Sequence, residues 1–311
     1  MKILTRIILP AIVVLLSITF PLFAGPYQQS IAKTIIIYMI LALSWNILLK
    51  TGQISFGLAG FFGIGAYASV LLSLRLGIPP LLTIIVGGII TAILAAAMGM
   101  IILRLRAMYF AITTLALGEI FRVIIHNLPN FAGGAHGLIL SSVIFDGNGY
   151  FTYWLFLAGA FFSIGLSYFF DKSKFHLALT TIRDNEITAK VRGIDIFKYL
   201  LIVFTITAGM QGLAGGLYSQ SFGFVTPESS FSGDFILLPI AMALLGGIYT
   251  TAGPVVGAIV LGVISEYLKL YIPYGHLVVY GLIIVIVILF MPNGIVGMCS
   301  NTFRKVDQFN E

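Results

Sequence analysis

An all-α, polytopic transmembrane bundle of about ten spans is the fold class this sequence predicts, and three observations predict it. Only 9% of its 311 residues are Asp, Glu, Lys or Arg, against roughly 25% in ordinary soluble domains. Hydrophobic residues make up 59% and fall in continuous runs, whereas a transmembrane β-barrel alternates apolar and polar positions. The 34 glycines suit helices packed closely in lipid, where small residues let backbones touch.

A helix needs about 20 apolar residues to cross a bilayer, because ~1.5 Å per residue must cover ~30 Å. The runs close to that measure are 7–23, 31–49, 56–74, 81–103, 109–125 and 151–170, followed by 199–221, 235–248, 255–270 and 277–291. The eighth and ninth are short enough to be half-helices or re-entrant. Basic residues before the first run give it the outline of a secretory signal. However, the run exceeds the usual apolar length and no clear small-x-small site precedes Gly25, so an uncleaved span is expected. The segment 127–150, with its Gly133-Gly134 and Gly137, reads as polar and flexible; it either caps an outer vestibule or simply joins two spans.

Loops on the cytoplasmic side carry an excess of Lys and Arg. Ten spans with an internal N-terminus place 13 of the 17 bases inside. Only Lys33, Arg75, Arg122 and Lys269 fall at or near the outer face. Both termini are therefore expected in the cytoplasm, and 1–311 forms a single transmembrane domain with a tail at 292–311.

The window 171–198 breaks the apolar pattern with six bases and four acids. Such charge density cannot lie in hydrocarbon. Thr181-Ile182-Arg183-Asp184 has the outline of a capping box. A helix running on from Asn185 to Arg192 would end at Gly193, a residue suited to the left-handed stop. Ile182, Ile187, Ala189 and Val191 give that helix an apolar flank among Arg183, Asp184 and Glu186. The segment is a short amphipathic helix that lies on lipid or fits a groove in a soluble partner.

Several chemistries are excluded. No Gly-Lys dipeptide exists, so no phosphate-cradling loop of that type is present. The four histidines have no metal-ligand spacing, and one cysteine, Cys299, permits no internal disulfide framework. No cofactor, catalytic or metal residue is expected. Nothing in the net charge of +6 indicates nucleic acid. Gly63-Ile64-Gly65-Ala66-Tyr67-Ala68 lies in an apolar span, so its glycines, with Gly52, Gly57 and Gly60, form a small-residue stripe for helix packing. Gly212 with Gly216, and Gly253 with Gly257, repeat that device. Glu119 and Arg122 stand three residues apart and share a helix face. They are either an interfacial ion pair or part of a polar path. Asn46, Gln53, Thr113, Thr114 and Gln211 are the remaining polar candidates for lining a path.

The order of longer motifs resembles a known family. Leu41-Ala42-Leu43-Ser44-Trp45-Asn46, Gly52-Gln53-Ile54-Ser55-Phe56-Gly57 and Tyr109-Phe110-Ala111-Ile112-Thr113-Thr114 are three of its stretches. Gly212-Leu213-Ala214-Gly215-Gly216 and Gly253-Pro254-Val255-Val256-Gly257 are two more, and the likeness covers roughly residues 38 to 295. Together they are similar to the LivM-type permease subunits of ATP-binding-cassette importers for branched-chain amino acids. The resemblance implies that Ile182, Arg183, Asp184, Asn185, Glu186, Ile187, Ala189 and Gly193 form the helix that couples to an ATPase. It also implies a second homologous permease, two ATPase subunits, an extracytoplasmic substrate-binding protein, membrane lipid around the bundle, and a bacterial cytoplasmic membrane. Ile187-Thr188 stands where such importers usually have Glu-Ala, and related systems carry urea, amides or other amino acids. An ion-coupled secondary transporter is the rival class, with Glu119 as its coupling residue.

Overall fold

A computed structural model describes residues 14–105, 107–271, 275–290 and 294–298. The start of the expected first span (7–13), Arg106, Met291 and the tail beyond Met298, including Cys299, lie outside the described residues. The helices are α1 (Val14–Phe23), α2 (Pro26–Leu49), α3 (Leu58–Leu76), α4 (Pro80–Ile102) and α5 (Ala107–His126). The short α6 (Pro129–Ala132) and β1 (Leu138–Ile139) lead to α7 (Gly149–Lys172), α8 (Lys174–Asp184), α9 (Glu186–Val191) and α10 (Ile196–Phe222). β2 (Phe224–Val225), α11 (Pro227–Ser230), α12 (Asp234–Gly246), α13 (Ala252–Tyr271) and α14 (His276–Phe290) complete the order.

Among the described residues, eight segments are long and apolar enough to cross a membrane, α11 and α12 counting together as Pro227–Gly246. The first and tenth expected spans appear as α1 and α14, shorter than that measure as described. The ninth span is corrected from short to full length. α13 has 20 residues because Pro254 falls in its first turn, where the missing N–H has no intrahelical partner anyway. The eighth is indeed broken: α12 has 13 residues and is separated from α11 by a bend at 231–233.

Apolarity does not decide which helix is buried. α4 is the most apolar of the eight segments, yet 33% of its spanning window is buried, against 78% for α2. Lipid solvates an apolar helix as well as protein does, so packing selects small and polar residues instead. α2 stands at the centre, against α7, α10, α12 and α13, while α10 lies across α3 and α4. The glycine stripe makes those crossings close. A β-carbon on Gly65 would come 2.3 Å from Gly212 Cα, and one on Gly60 would come 2.6 Å from Gly118 Cα. Packing is therefore what the stripe does.

The segment 127–150 is built, which corrects its reading as flexible. β1 pairs antiparallel with β2, Leu138 opposite Val225. Arg75 donates to the carbonyls of Asn130 and Phe131 at 2.9 and 2.8 Å. α1 is held laterally. Pro21 has no N–H for the Ser17 carbonyl, and the Tyr153 hydroxyl donates to that oxygen at 2.9 Å. Trp154 Nε1 donates to Ile18 O at 3.2 Å.

Candidate functional site

The charged window folds as two helices meeting at a corner. α8 runs through Lys174–Asp184, so the Thr181–Asp184 stretch is not a capping box. Thr181 lies inside a helix and its hydroxyl donates back to Leu177 O at 2.7 Å. Asn185 is extended at φ −161° and ψ 110° and caps α9 instead, accepting from the Ile187 and Thr188 amides at 2.8 and 3.1 Å. The expected helix between Asn185 and Arg192 is present as α9, and what is corrected is its start, which lies at Asn185 instead of Thr181. A short side-chain acceptor satisfies two otherwise unpaired amides, and that outweighs continuing α8. Gly193, at φ +73°, provides the expected left-handed stop, with Ile194 N donating to Ala189 O at 3.0 Å.

The expected apolar flank divides in two. Ile182 and Ala189 are buried, whereas Ile187 and Val191 are 74% and 84% exposed. The inner pair anchors the corner to the bundle, and the outer pair faces away with Arg183, Asp184 and Glu186 nearby. Arg183 binds Asp184 at 3.0 Å, and its guanidinium carbon lies 4.3 Å from the centre of the Tyr249 ring. Its backbone also meets the α2–α3 turn at Gly52, a glycine at φ +84° where a β-carbon would come 3.3 Å from Arg183 Cα.

Tyr249 belongs to the turn 247–251 between α12 and α13, and it too has a left-handed backbone, φ +66°. Asn46, fully buried on α2, holds that turn from beneath. Its Nδ2 donates to Thr250 O at 2.8 Å, and Tyr249 N donates to its Oδ1 at 2.8 Å. Thr251 donates to Asp171 at 2.6 Å and shares a hydrogen bond with Ser167 at 2.8 Å. Asp171 also pairs with buried Lys50. Burial pushes the Lys50 ammonium below its ordinary range, and the hydrogen bond and charge of Asp171 oppose that shift. Sequence reasoning missed this network, because Lys50 and Asp171 looked like ordinary loop-edge charges.

The other polar candidates are scattered. Buried Gln53 lines a cavity of about 410 Å³ shared with Arg104, Glu186 and Lys190. Thr114 accepts from Phe56 N at 3.1 Å and donates to Ala111 O at 2.9 Å. Thr113 is half-buried. Gln211 donates to Ser44 Oγ at 3.1 Å in the core. Glu119 accepts from Arg122 Nε at 2.9 Å and borders an apolar cavity of about 440 Å³ with Leu115, Phe231 and Ile236. Arg122 also stands 3.9 Å from Glu228. Asn46 and Thr114 have their side-chain hydrogen bonds inside the fold.

A bundle of apolar helices, packed through glycines and gripping an exposed helix corner at one end, defines a multi-pass integral membrane protein. The chain belongs to the family of branched-chain amino acid transport system permease components, whose model matches residues 28–288. It is 29% identical over 324 residues to the high-affinity branched-chain amino acid transport system permease protein LivM of Escherichia coli, covering 94% of this chain and 75% of that protein. A probable LivM of Methanocaldococcus jannaschii is 26% identical, covering 78% of this chain and 77% of that protein. A probable LivH of the same organism is also 26% identical, covering 90% of this chain and 96% of that protein.

Proposed function

We propose that this chain is one membrane half of an ATP-driven importer for branched-chain amino acids in a bacterial cytoplasmic membrane. Separate ATPase subunits drive it, a homologous permease completes the pore, and an extracytoplasmic binding protein delivers the substrate. The α8–α9 end and both termini face the cytoplasm. One observation carries this reading: the α8–α9 corner is fixed to the bundle by Ile182 and Ala189 while Ile187 and Val191 stand exposed. An apolar pair held out in water needs a partner surface, and a rigidly anchored pair can transmit that partner's movement. Likeness to both LivM and LivH proteins supports a pairing of related permeases. Arg183 on Tyr249 then links the corner to the turn that Asn46 and Asp171 hold.

The test uses the assembled complex in proteoliposomes. Ile187→Asp should leave ATP hydrolysis running while leucine uptake falls, because the drive no longer reaches the bundle. Unchanged uptake removes the corner from the drive. For sidedness, Lys174→Cys, at an exposed position at the start of α8, in a Cys299→Ser background should react with an impermeant maleimide in inverted vesicles only; reaction from the outside rejects the orientation.

A further inference from the structure

α4 and α5 are equally buried, with 33% of each spanning window inside the bundle, yet their outer faces differ. Every exposed residue of α4, from Leu81 to Ile101, is apolar, as lipid requires. α5 exposes Ile112, Leu115, Ala116 and Glu119, whose spacings of three and four put them on one face. At about 1.5 Å per residue, Glu119 lies about 18 Å along α5 from Ala107 and about 10 Å from His126. A carboxylate at that depth is costly against hydrocarbon, so such groups face water or protein and mark a pathway.

The cation is at hand. Arg122 donates through Nε to both oxygens of Glu119, at 2.9 and 3.1 Å, and stands 3.9 Å from Glu228 of α11. The Glu119 and Arg122 side chains nevertheless remain 59% and 33% exposed, so the pair is made and still reachable. Beside it lies the apolar cavity of about 440 Å³, within the range of ligand pockets, about 300–1,000 Å³. Ile112, Leu115 and Ala116 line it together with Ala59 of α3, Phe231 at the bend 231–233 and Ile236 of α12. Among the described residues that line it, Glu119 alone is charged. The bend interrupts the helix bordering the cavity, the backbone form that lines substrate sites in other membrane carriers.

We propose that this α5 face lines the translocation path and binds a passing α-amino acid with an apolar side chain. The side chain enters the cavity, the ammonium meets Glu119 and the carboxylate meets Arg122. A carboxylate and a guanidinium in contact are the complement of a zwitterion, which carries its two opposite charges on neighbouring groups. The assignment rests on the reading of the chain as an amino acid permease and adds where the substrate is held within the membrane. An ion pair serving only to brace α5 would need no open apolar cavity at its side.

Thiol labelling tests it in the assembled complex carrying Cys299→Ser, read on this chain by mass spectrometry. Ala116→Cys should react with a small, permanently cationic thiosulfonate. Ile89→Cys, at an exposed position on the apolar face of α4, should not. Leucine should slow the reaction at Ala116→Cys. Isoamylamine, which lacks the carboxylate, and isocaproate, which lacks the ammonium, should each protect about tenfold more weakly, the loss of one charged contact. With Arg122→Gln added, leucine should lose its advantage over isoamylamine; with Glu119→Gln, its advantage over isocaproate. An unreactive Ala116→Cys in a complex that still imports leucine would set this face against lipid or packed protein. That result overturns the proposal and leaves the proposed function standing. Reaction without protection by leucine would overturn it too, as would equal protection by leucine and isoamylamine, which identifies a cation site. A wild-type complex that imports no amino acid removes the proposed function instead. If Ala116→Cys does not assemble on size exclusion, Ile112→Cys carries the same measurement.

Discussion

At the α8–α9 end of the bundle, Lys50, Asp171, Thr251 and Ser167 join in one chain of contacts, and Asn46 clamps the adjacent turn with both ends of its amide. At the opposite end, Lys269, Glu266, Asp234 and Glu228 surround open space. The same residue types are therefore used in two ways. Ionic groups packed against their partners fix a geometry, because moving either strands a charge. Ionic groups along a cavity keep one side open to whatever enters it, even where they are paired, as Lys269 and Glu266 are. The first arrangement holds its shape, and the second leaves a surface that solutes can reach.

Four sets of substitutions probe that contrast. The largest effect is expected from Lys50→Met, which leaves Asp171 with the Thr251 hydroxyl but without its cation. The loss should approach about 3 kcal/mol, read as a lower midpoint of thermal unfolding of the complex. Lys50→Met with Asp171→Leu should recover much of it, and failure to recover would mean that Asp171 has a role beyond pairing. Asn46→Ala removes a donor and an acceptor from the buried turn and should cost about 2 kcal/mol. Its ATP hydrolysis should become less responsive to substrate; a stable variant with normal coupling would separate the turn from transmission. Arg183→Ala and Tyr249→Leu should each cost only about 0.5–1 kcal/mol, the value of one exposed cation–π contact. The double variant should be no worse than either single one in coupling assays. Glu119→Gln should change stability least, within about 1 kcal/mol for an exposed pair, and uptake should weaken without being lost. Abolished uptake would revive ion-coupled transport.

Much of the bundle was legible in the sequence because lipid imposes a simple condition: long apolar runs must be helices. The charged window was legible for the converse reason. What escaped was set by partners far away along the chain. Asn46 reads as a path residue in its span, yet it holds Tyr249 and Thr250, 203 and 204 residues away. The segment 127–150 reads as loose until β2 arrives to pair with β1. At the α8–α9 corner the competition was local. Thr181 and Asn185 are both capping types, and only the backbone shows that Asn185 took the cap. The cavity around Lys269 was also hidden, since Glu266 and Lys269 appeared as edge charges of an apparently short ninth span.

The lateral grip on α1 has a consequence for how the chain is made. The carbonyl that Pro21 leaves open at Ser17 is met by Tyr153, 136 residues later. At about 5–20 residues per second, the ribosome needs roughly 7 to 27 s to supply that hydroxyl. The first helix emerges early and finds its lasting neighbour only after half the polypeptide has been synthesised, so its final seating belongs to a late stage of biogenesis.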